Sequence, residues 1–172
     1  DRANPSPKPG NPPWRDAGLL APDAAARETG TSHVSILDAT GNAVSMTTTV
    51  EGAFGARIMA AGFLLNNQLT DFSFRPEMEG RAVANRVEPG KRPRSSMAPT
   101  MVFDPQGELR VIIGSPGGAL IIGYVAQALV AILDWAMDPQ EAVGLAHVLT
   151  VGGPVLLEQG TEAAGLKEAL EV

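Results

Sequence analysis

The stretch Thr31-Ser32-His33-Val34-Ser35-Ile36-Leu37-Asp38-Ala39-Thr40-Gly41-Asn42-Ala43-Val44-Ser45-Met46-Thr47-Thr48-Thr49 decides how the rest of the chain is read. Val34 and Ile36 alternate with His33 and Ser35, and Val44 and Met46 alternate with Ser45 and Thr47. That is the period of two shown by half-buried strands. Ala39-Thr40-Gly41 lies between the two runs, with glycine last. It suits a type I turn closed by a left-handed glycine bulge. With Thr40 at the centre, Asp38 pairs with Asn42, Ile36 with Val44, Val34 with Met46, and Thr31 with Thr49. The prediction is a hairpin with an apolar back and a polar front of Thr31, His33, Ser35, Ser45, Thr47 and Thr49.

Upstream, Asp1 to Trp14 contains Pro5, Pro7, Pro9, Pro12 and Pro13, which favours extended chain and reads as a linker. Leu19 to Arg27 predicts a short helix capped near Asp23. Composition changes sharply at Thr31, which marks the boundary between residues 1–30 and 31–172. Downstream, Ile58 to Leu65 reads as an apolar strand with a break at Gly62, ending in the polar loop Asn66 to Phe72. Residues 73–94 read as a long loop, a type of segment that is often functional. Thr100 to Phe103 and Leu109 to Ile113 predict two strands around the turn Asp104-Pro105-Gln106-Gly107. Ala119 to Trp135 is apolar almost all round and predicts a buried helix. Asp138-Pro139 predicts the capped start of another helix, running to about Ala146. A strand over Val155 to Glu158 and a helix over Glu162 to Leu170 complete an α+β pattern.

Composition narrows the chemistry. The chain of 172 residues is 44% hydrophobic, enough for a sizeable core. A net charge of -6, a pI near 4.9 and 5% aromatics argue against nucleic-acid binding. The absence of cysteine removes disulfides, thiolate metal sites and cysteine nucleophiles. His33 and His147 are the only histidines, too few for a multi-histidine metal centre. No signal-like segment follows Asp1, and the chain reads as a piece of something longer.

Four stretches could carry chemistry. A hydroxyl face on a strand is ordinarily solvated surface, and the functional alternative is a threonine nucleophile. A hydroxyl attacks poorly until a base takes its proton, and one solution uses a threonine's own amino group. That requires Thr31 to become a chain N-terminus, by cleavage after Gly30. A rival uses Thr31 or Ser32 with His33 as base, although Ser32 and His33 point to opposite faces of a strand. Asn66 to Asp71 reads either as a polar turn or as a binding loop. Ser95-Ser96-Met97-Ala98-Pro99-Thr100 reads either as an ordinary loop or as part of a site. Gly114-Ser115-Pro116-Gly117-Gly118 precedes a helix, where unobstructed backbone N–H groups stabilise an anion or a developing oxyanion. It is not a lysine-bearing phosphate loop, because Ala119 and Leu120 follow.

In order along the chain stand Thr31-Ser32-His33, Gly41-Asn42-Ala43-Val44, Leu64-Leu65-Asn66-Asn67-Gln68, Gly90-Lys91-Arg92-Pro93-Arg94-Ser95-Ser96-Met97-Ala98-Pro99-Thr100 and Gly114 to Gly118. Together they resemble the small, C-terminal subunit of the gamma-glutamyltranspeptidases, from about Thr31 to Val143. The resemblance implies an N-terminal-nucleophile hydrolase, part of a four-layer α-β-β-α sandwich, made as a zymogen that cuts itself between Gly30 and Thr31. It implies γ-glutamyl transfer and hydrolysis on glutathione-type substrates, with Thr31 as nucleophile and Thr49 supporting it. By the same resemblance Gln68 and Asp71 hold the substrate α-amino group, Ser95 and Ser96 lie near its α-carboxylate, and Gly117 and Gly118 form the oxyanion hole.

The expected partner is a large subunit from the same precursor, which supplies an arginine for the α-carboxylate. Residues 1–30 would then be a pre-cleavage linker or the end of the large-subunit region. No cofactor is implied, and the compartment implied is periplasmic or extracellular. Glu51 departs from the asparagine that many members carry; a carboxylate there pairs with an ammonium but repels acidic groups. That keeps open an amide acylase of the same fold. The thirty residues before Thr31 keep open a non-catalytic, unprocessed fragment that binds a large subunit. The small subunits of the family also continue beyond the point matching Val172.

Overall fold

The computed structural model describes Ala21 and residues 30–170. The hairpin forms as β1 (Thr31–Leu37) and β2 (Ala43–Thr49), paired in a two-stranded sheet. The Asp38 N–H donates to the Asn42 carbonyl at 3.0 Å, and Gly41 takes φ +89°, a conformation open to a residue without Cβ. The Asp38 carboxylate accepts from the side chains of Asn42 (2.7 Å) and Thr40 (2.8 Å) and from the backbone N–H of each. Those bonds favour its charged form, with the Asn42 side chain foremost, and bring its pKa down to about 2.

The covered face of this hairpin is not the predicted one. Val34, Ile36, Val44 and Met46 are exposed in this chain, whereas His33, Ser45 and Thr47 are half-buried. The reason is β8 (Leu109–Ile113), which pairs antiparallel with β7 (Thr100–Phe103). Ser45 Oγ donates to the Ile113 carbonyl at 3.2 Å, and Ser35 Oγ to the Ile112 carbonyl at 3.4 Å. Hydroxyls reach strand carbonyls in a way that methyl groups cannot.

The chain forms two compact units. One contains Ala21, Gly30 and residues 49–95. Here the apolar run Ile58 to Leu65 is not one strand but a tight hairpin of β3 (Met59–Ala60) and β4 (Phe63–Leu64). Ala61 and Gly62 both take positive φ, +49° and +84°, and so reverse the chain. Residues 68–71 form a 3-10 turn. The long loop contains a second small hairpin, β5 (Glu77–Met78) and β6 (Arg81–Ala82). Ala21, Phe72 and Val83 are buried, and Ala21 pairs with Val83 as extended chain. Apart from Ala21, the helix expected over Leu19 to Arg27 with its cap at Asp23 lies outside the described residues. So does the proline-rich segment.

The other unit contains residues 31–48 and 96–170. Asp104 closes the β7–β8 turn by accepting the N–H groups of Gln106 and Glu108. A 3-10 turn over Gly118–Leu120 leads into α1 (Ile121–Leu133). Ile121, Val125, Ala128 and Ala131 are buried, whereas Ile122, Val130, Leu133 and Trp135 are exposed. The helix is apolar all round, as expected, but this chain covers only one stripe of it. Asp138 caps α2 (Pro139–Val143) by accepting the Gln140 N–H at 2.8 Å, while Glu141 accepts the Asp138 N–H. This helix stops at Val143, short of Ala146, with Gly144 at its C-cap. The strand expected near residue 156 is β10 (Leu156–Leu157), paired with the unpredicted β9 (Val148–Leu149). The last helix is a 3-10 turn, Glu162–Leu166, continued by α3 (Lys167–Leu170). The mixture of helices and antiparallel hairpins is α+β. Among the described residues no helix is long and apolar enough to cross a membrane.

Candidate active site

In the first unit the candidate residues sit on a loop whose backbone is held by side-chain amides. Asn67 Oδ1 accepts the Gly52 N–H at 2.9 Å, and the Asn67 N–H donates to the Val50 carbonyl at 3.2 Å. Gly55 takes φ +55°, and a Cβ on it would stand 2.2 Å from the Leu65 carbonyl oxygen. Between these anchors Glu51 adopts φ +71° and is only 8% exposed, an unusual combination for a carboxylate.

Gln68 reaches both acidic side chains of this loop. Its Nε2 donates to Glu51 Oε2 at 3.2 Å and to Asp71 Oδ2 at 2.7 Å, so one amide nitrogen bridges two carboxylates. Buried Asn85 donates to the Asp71 carbonyl and accepts the Arg94 N–H at 2.9 Å, which fixes the backbone under Asp71. Two carboxylates bridged by a neutral amide make an acidic constellation, the charge type that attracts an ammonium group.

Thr49 lies at the edge of the same cluster. Its Oγ1 donates to the Gly30 carbonyl at 2.9 Å and accepts the Glu51 N–H at 2.8 Å. A Cβ on Gly30 would fall 2.2 Å from the Glu51 carbonyl oxygen. Ser95 is exposed at the end of this unit.

The second unit carries Thr31, Ser96, Gly117 and Gly118. Thr31 is the first residue of β1 and half-buried. His33 Nδ1 shares a hydrogen bond with Thr47 Oγ1 at 2.8 Å, and Nε2 shares one with Ser35 Oγ at 3.1 Å. Both ring nitrogens are therefore engaged by hydroxyls of the hairpin, Thr47 on one side and Ser35 on the other. The ring lies over Gly114, where a Cβ would meet it at 2.2 Å, and burial lowers its pKa below 6.5. Gly117 (φ +133°) and Gly118 (φ +56°) form the turn into α1. A Cβ on Gly117 would stand 2.6 Å from the Tyr124 ring, so this backbone requires glycine.

Beside this turn is a cavity of about 110 Å³, lined by Ser115, Tyr124, Gln127 and His147 among others. The rings of Tyr124 and His147 lie 4.2 Å apart, and His147 Nδ1 shares a hydrogen bond with Gln127 Oε1 at 3.2 Å. Neither this group nor Asn85 was singled out from the sequence, and Asn67 was marked only as part of its loop and motif. A signal existed for Gln127, the one amide in an otherwise apolar helix.

Comparison with known proteins places this geometry in context. The gamma-glutamyltranspeptidase family profile matches residues 1–171. A glutathione hydrolase proenzyme of Escherichia coli (strain K12) is 42% identical over 132 residues, covering 73% of this chain and 22% of the relative. An acylase ACY 1 proenzyme of Pseudomonas sp. (strain SE83) is 39% identical over 150 residues, covering 86% and 25% respectively. A crystal structure of a Helicobacter pylori gamma-glutamyltranspeptidase mutant superposes with a TM-score of 0.67 at 36% identity, covering 81% of this chain and 80% of that one. The chain spans about a fifth to a quarter of the length of the curated relatives it matches.

Proposed function

Because this chain belongs to the gamma-glutamyltranspeptidase family, we propose that it is the small-subunit part of a precursor cleaved between Gly30 and Thr31. Under this reading residues 1–30 belong upstream of the cut, and residues 31–172 to the product that begins with Thr31. The partner is the large subunit of the same precursor, exported to the periplasm or beyond the cell.

The cleaved product transfers or hydrolyses γ-glutamyl groups. The freed amino group of Thr31 takes the proton of its own hydroxyl, and Oγ1 attacks the γ-carbonyl carbon. The N–H groups at Gly117 and Gly118 receive the oxyanion. The C–N bond breaks, the amine leaves with the proton, and a γ-glutamyl ester remains on Thr31. Water or an acceptor amine then releases the acyl group. Glu51, Gln68 and Asp71 hold the substrate α-ammonium, and Ser95 and Ser96 serve its α-carboxylate. What carries the reading is the bridge from Gln68 to Glu51 and Asp71 at 3.2 and 2.7 Å, a constellation matched to an ammonium group.

The test is the full-length precursor with Thr31→Ala. Intact mass and N-terminal sequencing should show loss of cleavage, and turnover of a γ-glutamyl anilide should vanish. Surviving turnover overturns the assignment. A second reading, an acylase of the same fold, is favoured by the acylase relative and by the Glu51 carboxylate, which repels acidic substrate groups. Turnover of a longer acyl amide in preference to the γ-glutamyl anilide would select it.

A further inference from the structure

One buried side chain joins the two ends of the proposed substrate head-group site. We infer that Asn85 is a positioning residue that sets the span between Asp71 and Ser95, and so selects a substrate whose ammonium and carboxylate stand on one carbon. This rests on the reading above that Asp71 meets the α-ammonium and Ser95 the α-carboxylate. Asn85 is 9% exposed, and its amide is used at both ends. Nδ2 donates to the carbonyl of Asp71, 14 residues back, and Oδ1 accepts the N–H of Arg94, 9 residues on, at 2.9 Å. Arg94 directly precedes Ser95. A planar amide holds its donor and acceptor at a fixed separation, so the two backbone segments it ties cannot drift independently.

The bridge is itself anchored. The Asn85 carbonyl accepts the Ser73 N–H at 2.9 Å, so Asn85 grips the chain on both sides of buried Phe72. Arg86 donates to the Val83 carbonyl at 3.1 Å, and Lys91 Nζ donates to the Ala84 carbonyl at 2.6 Å and to the Glu88 carboxylate at 3.0 Å. These bonds brace the loop that runs from Asn85 to Arg94. At the substrate end, Gln68 Nε2 donates to the Asp71 carboxylate at 2.7 Å. Both bonds of the Asn85 amide go to main-chain atoms, so the residue acts through the backbone that carries Asp71 and Ser95. A ligand with two charged groups gains when one bound group brings the other to its site, and that gain is lost once the span no longer matches. A ligand with one charged group has no span to match.

The experiment uses the full-length protein after maturation, with rates taken per mole of cleaved enzyme. Three anilides are compared: γ-glutamyl, with both charged groups; glutaryl, with the carboxylate alone; and 4-aminobutyryl, with the ammonium alone. Asn85→Leu keeps the volume and removes both amide bonds. Its kcat/KM for the γ-glutamyl anilide should fall by about 10²-fold, mainly through KM, the loss that follows a misplacement of about 1 Å. The two one-group anilides should change far less. An unchanged γ-glutamyl rate overturns the inference, and so does a parallel fall in all three, which marks a residue that only supports the fold. Asn85→Ser, too short to reach both partners, should show the same selective loss and decides alone if the leucine variant fails to melt cooperatively or to mature. If neither variant matures, Asn85 is a support of the fold and the inference falls. Wild type separates the two levels: turnover of either one-group anilide as fast as the γ-glutamyl one sinks the head-group reading itself.

Discussion

Among the described residues five non-glycine positions with positive φ lie in the unit of residues 49–95: Glu51, Phe54, Arg57, Ala61 and Glu79. The other unit has one, Ala136, and elsewhere takes that conformation at glycines such as Gly41, Gly117 and Gly118. A left-handed residue bearing a Cβ costs about 1–2 kcal/mol. The first unit therefore holds its polar cluster on strained loop backbone, tied down by Asn67 and Asn85. The second holds its candidates on regular strands and a glycine turn. Strain persists where the surroundings over-determine it, and such places are disproportionately functional. Here it coincides with Glu51, the residue that sets the charge of the cluster.

The contrast can be broken most directly with one alanine in each unit. Gly55→Ala places a Cβ against the Leu65 backbone at positive φ and should cost about 3 kcal/mol or more. Gly114→Ala meets the His33 ring first, which can swing away from Thr47 and Ser35, and should cost about 1–2 kcal/mol. Urea unfolding of the two variants measures the gap; equal losses would show that the loop unit is no stiffer than the strand unit.

A smaller effect separates strain from function at Glu51. Glu51→Gly relieves the left-handed backbone and should recover about 1 kcal/mol while weakening binding of a γ-glutamyl substrate. Glu51→Asn tolerates the same φ and removes the charge set against the substrate α-ammonium, so kcat/KM for γ-glutamyl compounds should fall, and a rise would select the acylase reading. An unchanged kcat/KM would take Glu51 away from the substrate.

The smallest effect is electrostatic and belongs to the strand unit. Burial depresses the pKa of His33, so folding favours the neutral ring. That contribution is complete above the ordinary value of 6.5 and is lost as pH falls through the lower, folded value. Thermal melts should decline over this window, and the decline should be shallower in His33→Gln. A slope identical to wild type would show that another group drives it.

The sequence made the hairpin legible because its turn is chemical: Asp38, Thr40, Gly41 and Asn42 leave few other geometries. The β7–β8 pair and the Asp138-Pro139 helix start were readable for the same reason. The buried side of the hairpin was not. Alternation says that two faces differ, not which is covered, and the preference of Ser35 and Ser45 for strand carbonyls reversed the usual outcome. Likewise Ala61-Gly62 reads as a flaw in one strand until both residues take positive φ. For the site, the family resemblance marked Glu51, Gln68 and Asp71 as candidates. The supports at Asn67 and Asn85 bond to backbone atoms, so their partners left no mark in side-chain chemistry. The need for glycine at position 30 depends on a carbonyl twenty-one residues away.

The His33 ring lying on Gly114 has one more consequence, for how this chain can diverge. With a Cβ only 2.2 Å from the ring, the two positions are coupled. A descendant that gains a side chain at 114 must swing the imidazole at 33 off its partners, at a cost in stability, or surrender it. Through Thr47 and Ser35, that surrender frees two further hydroxyls to change. The four positions should therefore be inherited as one block, and an alignment of descendants should show them exchanged together or not at all.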